Sequence, residues 1–111
     1  MPLKPMTRAT NNVLRQCRAR LKAHYGDRLA AVVLYGSEAR GEATPDSDID
    51  LLVLLHGPFE RLKELRAIVD VLYPLQLESN RLLSARPAAV KDYERGSLQL
   101  YRNAKRDGIA V

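Results

Sequence analysis

Two short apolar runs, Ala30-Ala31-Val32-Val33-Leu34-Tyr35 and Leu51-Leu52-Val53-Leu54-Leu55, constrain this chain more than anything else in it. Runs so apolar and so brief read as strands covered on both faces, over about 29–35 and 48–55, so the chain must build a sheet with helices packed on it. The first run ends at Gly36-Ser37, and the second is opened by Asp48-Ile49-Asp50. Side chains alternate across a strand, which puts Asp48 and Asp50 on one face and Ile49 on the other. Two ionised carboxylates held side by side repel each other. The arrangement makes physical sense if they share a divalent cation, for which Mg2+ is the natural candidate.

The Gly-Ser turn supplies a second element. Glycine lets a backbone approach a ligand closely, and the amides of a short helix start at Ser37-Glu38-Ala39-Arg40 are placed to cradle phosphate oxygens, with the Ser37 hydroxyl beside them. Arg40, three residues after Ser37, is either a phosphate contact or one half of a surface salt bridge. A Gly-Ser turn alone is common, and Asp-x-Asp alone is often a solvated loop. Joined at this spacing between two apolar strands, they form a site for a metal-bound nucleoside triphosphate.

The remainder reads as follows. Thr10 or Asn11 caps a first helix whose apolar positions Val13, Leu14, Cys17 and Leu21 recur at spacings of three and four, ending near Gly26-Asp27. Residues 1–6 form a frayed tail with two prolines. Pro58 starts a helix over about 59–72 with Leu62, Leu65, Ile68, Val69 and Leu72 inward, and Pro74 ends it ahead of a third strand at 75–78. Helices near 87–94 and 97–106 complete a single domain spanning 1–111. At 111 residues and 46% hydrophobic content, such a domain buries about two-thirds of its chain surface.

The net charge of +5 is concentrated at the start, where residues 1–28 hold seven basic side chains against one acid. No aromatic residues are interleaved for base stacking, so a solvated helix face is expected rather than a nucleic-acid interface. No run approaches the roughly 18 apolar residues of a membrane span, and the N-terminus lacks a secretion signal. With Cys17 alone no internal disulfide forms, and a buried thiol in a reducing cytoplasm is expected. His24 and His56 have no partner at metal-ligand spacing.

The stretch Val33-Leu34-Tyr35-Gly36-Ser37-Glu38-Ala39-Arg40-Gly41, continued by Ser47-Asp48-Ile49-Asp50-Leu51-Leu52-Val53, closely resembles the minimal nucleotidyltransferases of the DNA polymerase beta superfamily. The ending Leu100 to Ile109 is similar to the close of many small members. The resemblance implies an α/β fold with a small mixed sheet and packed helices. It implies transfer of a nucleoside monophosphate, AMP from ATP, to a hydroxyl acceptor with Mg2+ on Asp48 and Asp50. Gly36, Ser37, Arg40 and Ser47 would then hold the nucleotide. Many small members are antitoxins paired with a HEPN-type ribonuclease toxin, a tyrosine of which can be the acceptor, and a homo-oligomer is the other assembly to expect.

Members of that family usually add a third carboxylate on a later strand, often after a proline. The simplest alignment places Gln76 of Tyr73-Pro74-Leu75-Gln76-Leu77-Glu78 there, and an amide cannot accept the acceptor's proton. Glu78, on the same strand face about 7 Å further along, is the substitute catalytic acid if the register shifts. Otherwise the chain is a nucleotide-binding partner or antitoxin subunit without turnover.

Overall fold

The computed structural model describes residues 6–111, so the expected N-terminal tail lies, but for Met6, outside the described residues. Helix α1 (Arg8–Tyr25) begins one turn before the expected cap, because the Thr7 hydroxyl accepts from the Thr10 amide at 3.1 Å. Of the expected stripe Leu14, Cys17 and Leu21 are buried and Val13 is half-buried, while Tyr25 extends it by a turn, and burial pushes the Cys17 thiol up to about 11. A single 3-10 turn, Gly26–Arg28, leads into β1 (Leu29–Tyr35), which pairs antiparallel with β2 (Ile49–Leu55). Then follow α2 (Arg61–Glu78), β3 (Leu83–Ala89), α3 (Val90–Arg95), α4 (Gln99–Asp107) and a two-residue β4 (Ile109–Ala110). The sheet order is β3-β2-β1-β4, with β3 parallel to β2 and β4 antiparallel to β1.

One face of the sheet, with Val32, Leu34, Ile49, Leu51, Val53 and Leu55, is covered by Leu14, Cys17 and Leu21 of α1 and Ile68, Leu72 and Leu75 of α2. The opposite face packs Val33, Tyr35, Leu52, Leu54 and Ala88 against Tyr101 and Ala104 of α4. Coverage from both sides is why β1 and β2 lost the alternation of a half-buried strand.

Two expectations fail, for one reason. Pro74 does not end α2, and no strand forms at 75–78, since the helix continues to Glu78. The proline withholds an amide from the carbonyl of Asp70, but both residues are exposed, so water satisfies that carbonyl, and the buried Leu72 and Leu75 carry the helix through. The third strand instead occupies 83–89, overlapping the helix expected over 87–94. It holds Pro87 because β3 is an edge strand. Ile49 donates its amide to the carbonyl of Leu82 at 2.8 Å, whereas the Leu83 amide turns away from β2 and donates to Oε1 of Gln76 at 2.7 Å. By alternation Pro87, like Leu83, faces the open edge, where its missing amide costs no ladder bond.

The inner face of α2 also differs from expectation. Ile68 and Leu72 are buried, but Leu62 and Val69 are 68% and 57% exposed. Glu64 is buried in their stead, accepting a 3.0 Å hydrogen bond from the Tyr25 hydroxyl. Burial, and then that bond, raises the Tyr25 phenol well above its ordinary value.

Gln76, on α2 rather than on a strand, has a structural task. Its Oε1 takes the Leu83 amide and its Nε2 donates to the Arg81 carbonyl at 3.1 Å, so one side chain seats the start of β3. Gln76→Ala leaves both half-buried groups without these partners and should cost about 1–2 kcal/mol. Urea unfolding should show a lower midpoint with an unchanged slope.

Candidate active site

The site forms where β1 ends beside the start of β2. Tyr35 lies opposite Asp50 in the antiparallel register, which brings the Gly-Ser turn onto the aspartates. Gly36 has φ +77°, and a Cβ on it would sit 2.5 Å from Oδ2 of Asp50. Glycine is therefore required twice, by the left-handed backbone and by a carboxylate resting against its Cα. Residues 37–41 form hydrogen-bonded turns rather than the expected helix start. Gly36 O accepts from the Arg40 amide at 3.2 Å and Ser37 O from the Glu42 amide at 2.9 Å. Among the described residues nothing accepts from the amides of Ser37, Glu38 and Ala39, so the turn still presents free donors to an anion.

Asp48 stands just before β2 and is exposed, while Asp50, the second residue of the strand, is half-buried. Burial, and then the charge of Asp48, raises the Asp50 carboxyl above the usual carboxylate range, with Arg86, Arg40 and Arg81 opposing. Ser47 closes the loop that delivers Asp48: its hydroxyl accepts from the Thr44 amide at 2.9 Å. Arg40 pairs with Glu42 at 3.1 Å in an exposed salt bridge, the plainer of its two expected roles.

Arg81, not singled out in the sequence, holds the site together. Its guanidinium pairs with Glu38 of the turn, donates from Nε to the Ser47 carbonyl at 2.7 Å, and reaches the Asp48 carbonyl at 3.4 Å. One buried fork thus ties the phosphate turn to the aspartate loop.

The donors fit Mg2+, which keeps several waters and is held through one or two carboxylates plus substrate phosphates. Asp48 and Asp50 would supply those carboxylates, and their mutual repulsion is the charge such an ion would neutralise. No group of three or more His, Cys, Asp or Glu residues arranged for a metal exists among the described residues, and this pair is what would hold such an ion.

Nor does the expected third acid join it. Gln76 and Glu78 belong to α2, not to a strand. Glu78 lines a cleft of about 330 Å³ with Thr10, Glu38, Ile49 and Arg81. Ile49 points to the helix-covered face, opposite in strand parity to Asp48 and Asp50. A register shift therefore has no strand on which to act. Across from Asp50 the parallel register places Ser84, and across from Leu52, Arg86. Both stand on the sheet face of the aspartates. The polar alternation of Ser84 and Arg86 was the only sign of them, and Pro87 hid it.

A mixed sheet whose central hairpin carries a Gly-Ser turn against a paired carboxylate is the architecture of nucleotidyl transfer. Residues 14–105 match the family described as nucleotidyltransferase domain, and the chain belongs to that family. It is 37% identical over 62 residues to "Putative protein adenylyltransferase MJ1305" of Methanocaldococcus jannaschii, a match covering 55% of this chain and 42% of that one. It is also 40% identical over 45 residues to "Putative protein adenylyltransferase MJ0604" of the same organism, covering 40% and 45%. The matches thus span less than half the length of these curated relatives. The crystal structure titled as a putative nucleotidyltransferase from Sulfolobus solfataricus superposes with a TM-score of 0.58 at 16% identity, covering 98% of this chain and 90% of that one. The fold is accordingly that of the polymerase-beta-like nucleotidyltransferases.

Proposed function

We propose that this chain transfers AMP from Mg2+-bound ATP to an oxygen nucleophile presented by a partner molecule. The observation that carries this reading is Gly36 seated against Asp50, which brings an anion-binding turn and a cation-binding pair into contact. Asp48 and Asp50 would hold the ion, whose chemistry when bound would be electrostatic neutralisation of the triphosphate and its leaving group. The free amides of Ser37, Glu38 and Ala39 orient phosphate oxygens, and Asp48 and Asp50 fix the ion relative to them. AMP as the transferred group is supported by the two Methanocaldococcus jannaschii relatives, both named as protein adenylyltransferases. The hydroxyl acceptor and the HEPN-type toxin tyrosine implied by the sequence resemblance fit this reading if the acceptor brings its own base.

A second reading, a non-catalytic nucleotide-binding subunit that neutralises a partner by binding, is favoured by the absence of an acid on β3. Calorimetry with ATP and a non-hydrolysable analogue, with and without Mg2+, tests the nucleotide site that both readings share, and release of pyrophosphate from ATP with a partner present separates them. Binding that strengthens at least about tenfold with Mg2+ is expected, since carboxylates alone repel a triphosphate. Equal affinity in EDTA would reject the metal-bridged site.

A further inference from the structure

A nucleotidyltransferase must also deal with the proton on its acceptor, and here the strand beside the aspartates offers no base. β3 presents Ser84 opposite Asp50 and Arg86 next along the same face. A serine hydroxyl and a guanidinium cannot take a proton from an alcohol or a phenol at neutral pH.

The cations near the site are not equivalent. Arg81 is committed to Glu38 and to two backbone carbonyls, and Arg40 is paired with Glu42. Arg86 is exposed, and its side chain makes no hydrogen bond or ion pair among the described residues. Were its charge needed only to quiet the aspartates, it would pair with one of them, as Arg81 pairs with Glu38. A free planar fork beside a phosphoryl-transfer site matches a carboxylate or phosphate in two-point geometry.

We propose that the acceptor of this site is an oxyanion, a carboxylate or a phosphate group, held by Arg86 with Ser84 beside it. The assignment rests on the nucleotidyl-transfer reading and names its acceptor class. Such a nucleophile is already ionised at neutral pH and needs no general base. One acceptor oxygen forms a bond to the α-phosphorus while the bond from that phosphorus to the α,β-bridging oxygen breaks. Pyrophosphate leaves with the electron pair, and no proton has to be removed from the acceptor. A phosphate gives a phosphoanhydride and a carboxylate an acyl adenylate.

The test supplies this chain, Mg2+ and ATP with inorganic phosphate, acetate or N-acetyltyrosinamide as acceptor probes, the label being carried by the inorganic phosphate in the first case, so that hydrolysis of ATP gives no labelled ADP, and by the α-phosphate of ATP in the other two. Labelled ADP or acetyl adenylate is expected, with no label on the tyrosine compound. The first two products distinguish a phosphate from a carboxylate preference. Arg86→Ala should raise the KM for the anionic probe roughly 10- to 100-fold, with a far smaller change in Mg·ATP affinity and the melting temperature unchanged. Ser84→Asp, which puts a carboxylate across from Asp50, should suppress the anionic acceptors and admit the phenol. Label on N-acetyltyrosinamide that Arg86→Ala leaves untouched would overturn the assignment, as would an equal loss of Mg·ATP affinity in that variant. Tight Mg·ATP binding without transfer to either anion would sink the acceptor class alone, whereas failure to bind Mg·ATP would sink the transferase reading beneath it.

Discussion

Asp50→Asn is expected to reduce nucleotidyl transfer by about 10³-fold or more while leaving the protein folded. The carboxylate supplies charge to the cation and contacts Gly36, and an amide of the same shape keeps the contact but not the charge. Loss of one fixed electrostatic partner in a transition state is commonly worth about 10²–10³-fold, and loss of a metal ligand adds weakened ion binding. Stability should move the other way. Asp50 is raised by burial and by Asp48, so the folded state holds its proton more tightly than the unfolded chain does. Stability therefore falls as pH rises from the ordinary carboxylate value, about 3.9, through the raised folded value. In metal-free buffer above that window, Asp50→Asn should melt higher than wild type, and its stability should lose that slope. Mg2+ should stabilise the wild type and do little for the variant. A sharply lower melting temperature at neutral pH would show that Asp50 is a structural acid instead.

Arg81→Ala is expected to cost about 3–5 kcal/mol, because it strands Glu38 as an uncompensated buried charge. The two side chains are only 15% and 9% exposed, so solvent does little to screen the loss. Set against the roughly 5–15 kcal/mol that holds a small protein folded, this is a large fraction. The same substitution frees the carbonyls of Ser47 and Asp48, so Mg·ATP affinity should fall even in conditions where the variant remains folded. The double variant Arg81→Met with Glu38→Leu removes both charges. It should recover most of the stability without the affinity, which separates the buried pair from its positioning effect. Urea unfolding of the single and double variants provides the measurement, and a single variant within 1 kcal/mol of wild type would contradict the buried pair's role.

The elements that were legible in the sequence are those whose signal is local. β1 is apolar from end to end and β2 is so after Asp50, α1 repeats its buried positions every three or four residues, and the Gly-Ser and Asp-Ile-Asp motifs stand at the ends of those strands. Nothing elsewhere in the chain has to be known for such segments to be read. Pro74 did not end its helix, and Pro87 lies in a strand where a helix near 87–94 was expected, because a proline's cost depends on what its missing amide would have met. On an exposed helix face water answers for it, and on an open sheet edge no ladder bond is lost.

By itself, then, the sequence determined the central hairpin, the paired carboxylate on one strand face, and the glycine turn that meets it. Alternation and chain connectivity leave those residues few other places to be. Only the tertiary structure decided what lies beside the pair, because β3 reaches β2 through the long crossover of α2, and its register depends on contacts between segments distant in the chain. That register put Ser84 across from Asp50 and Arg86 beyond it. It left Gln76 to hold the strand's first amide, Glu78 on the helix-covered side, and Arg81 to bind the turn to the aspartate loop. A side chain's partners across a sheet follow from which strand becomes its neighbour and in what register. Here both were settled by burying α2 and seating the edge strand rather than by any local pattern.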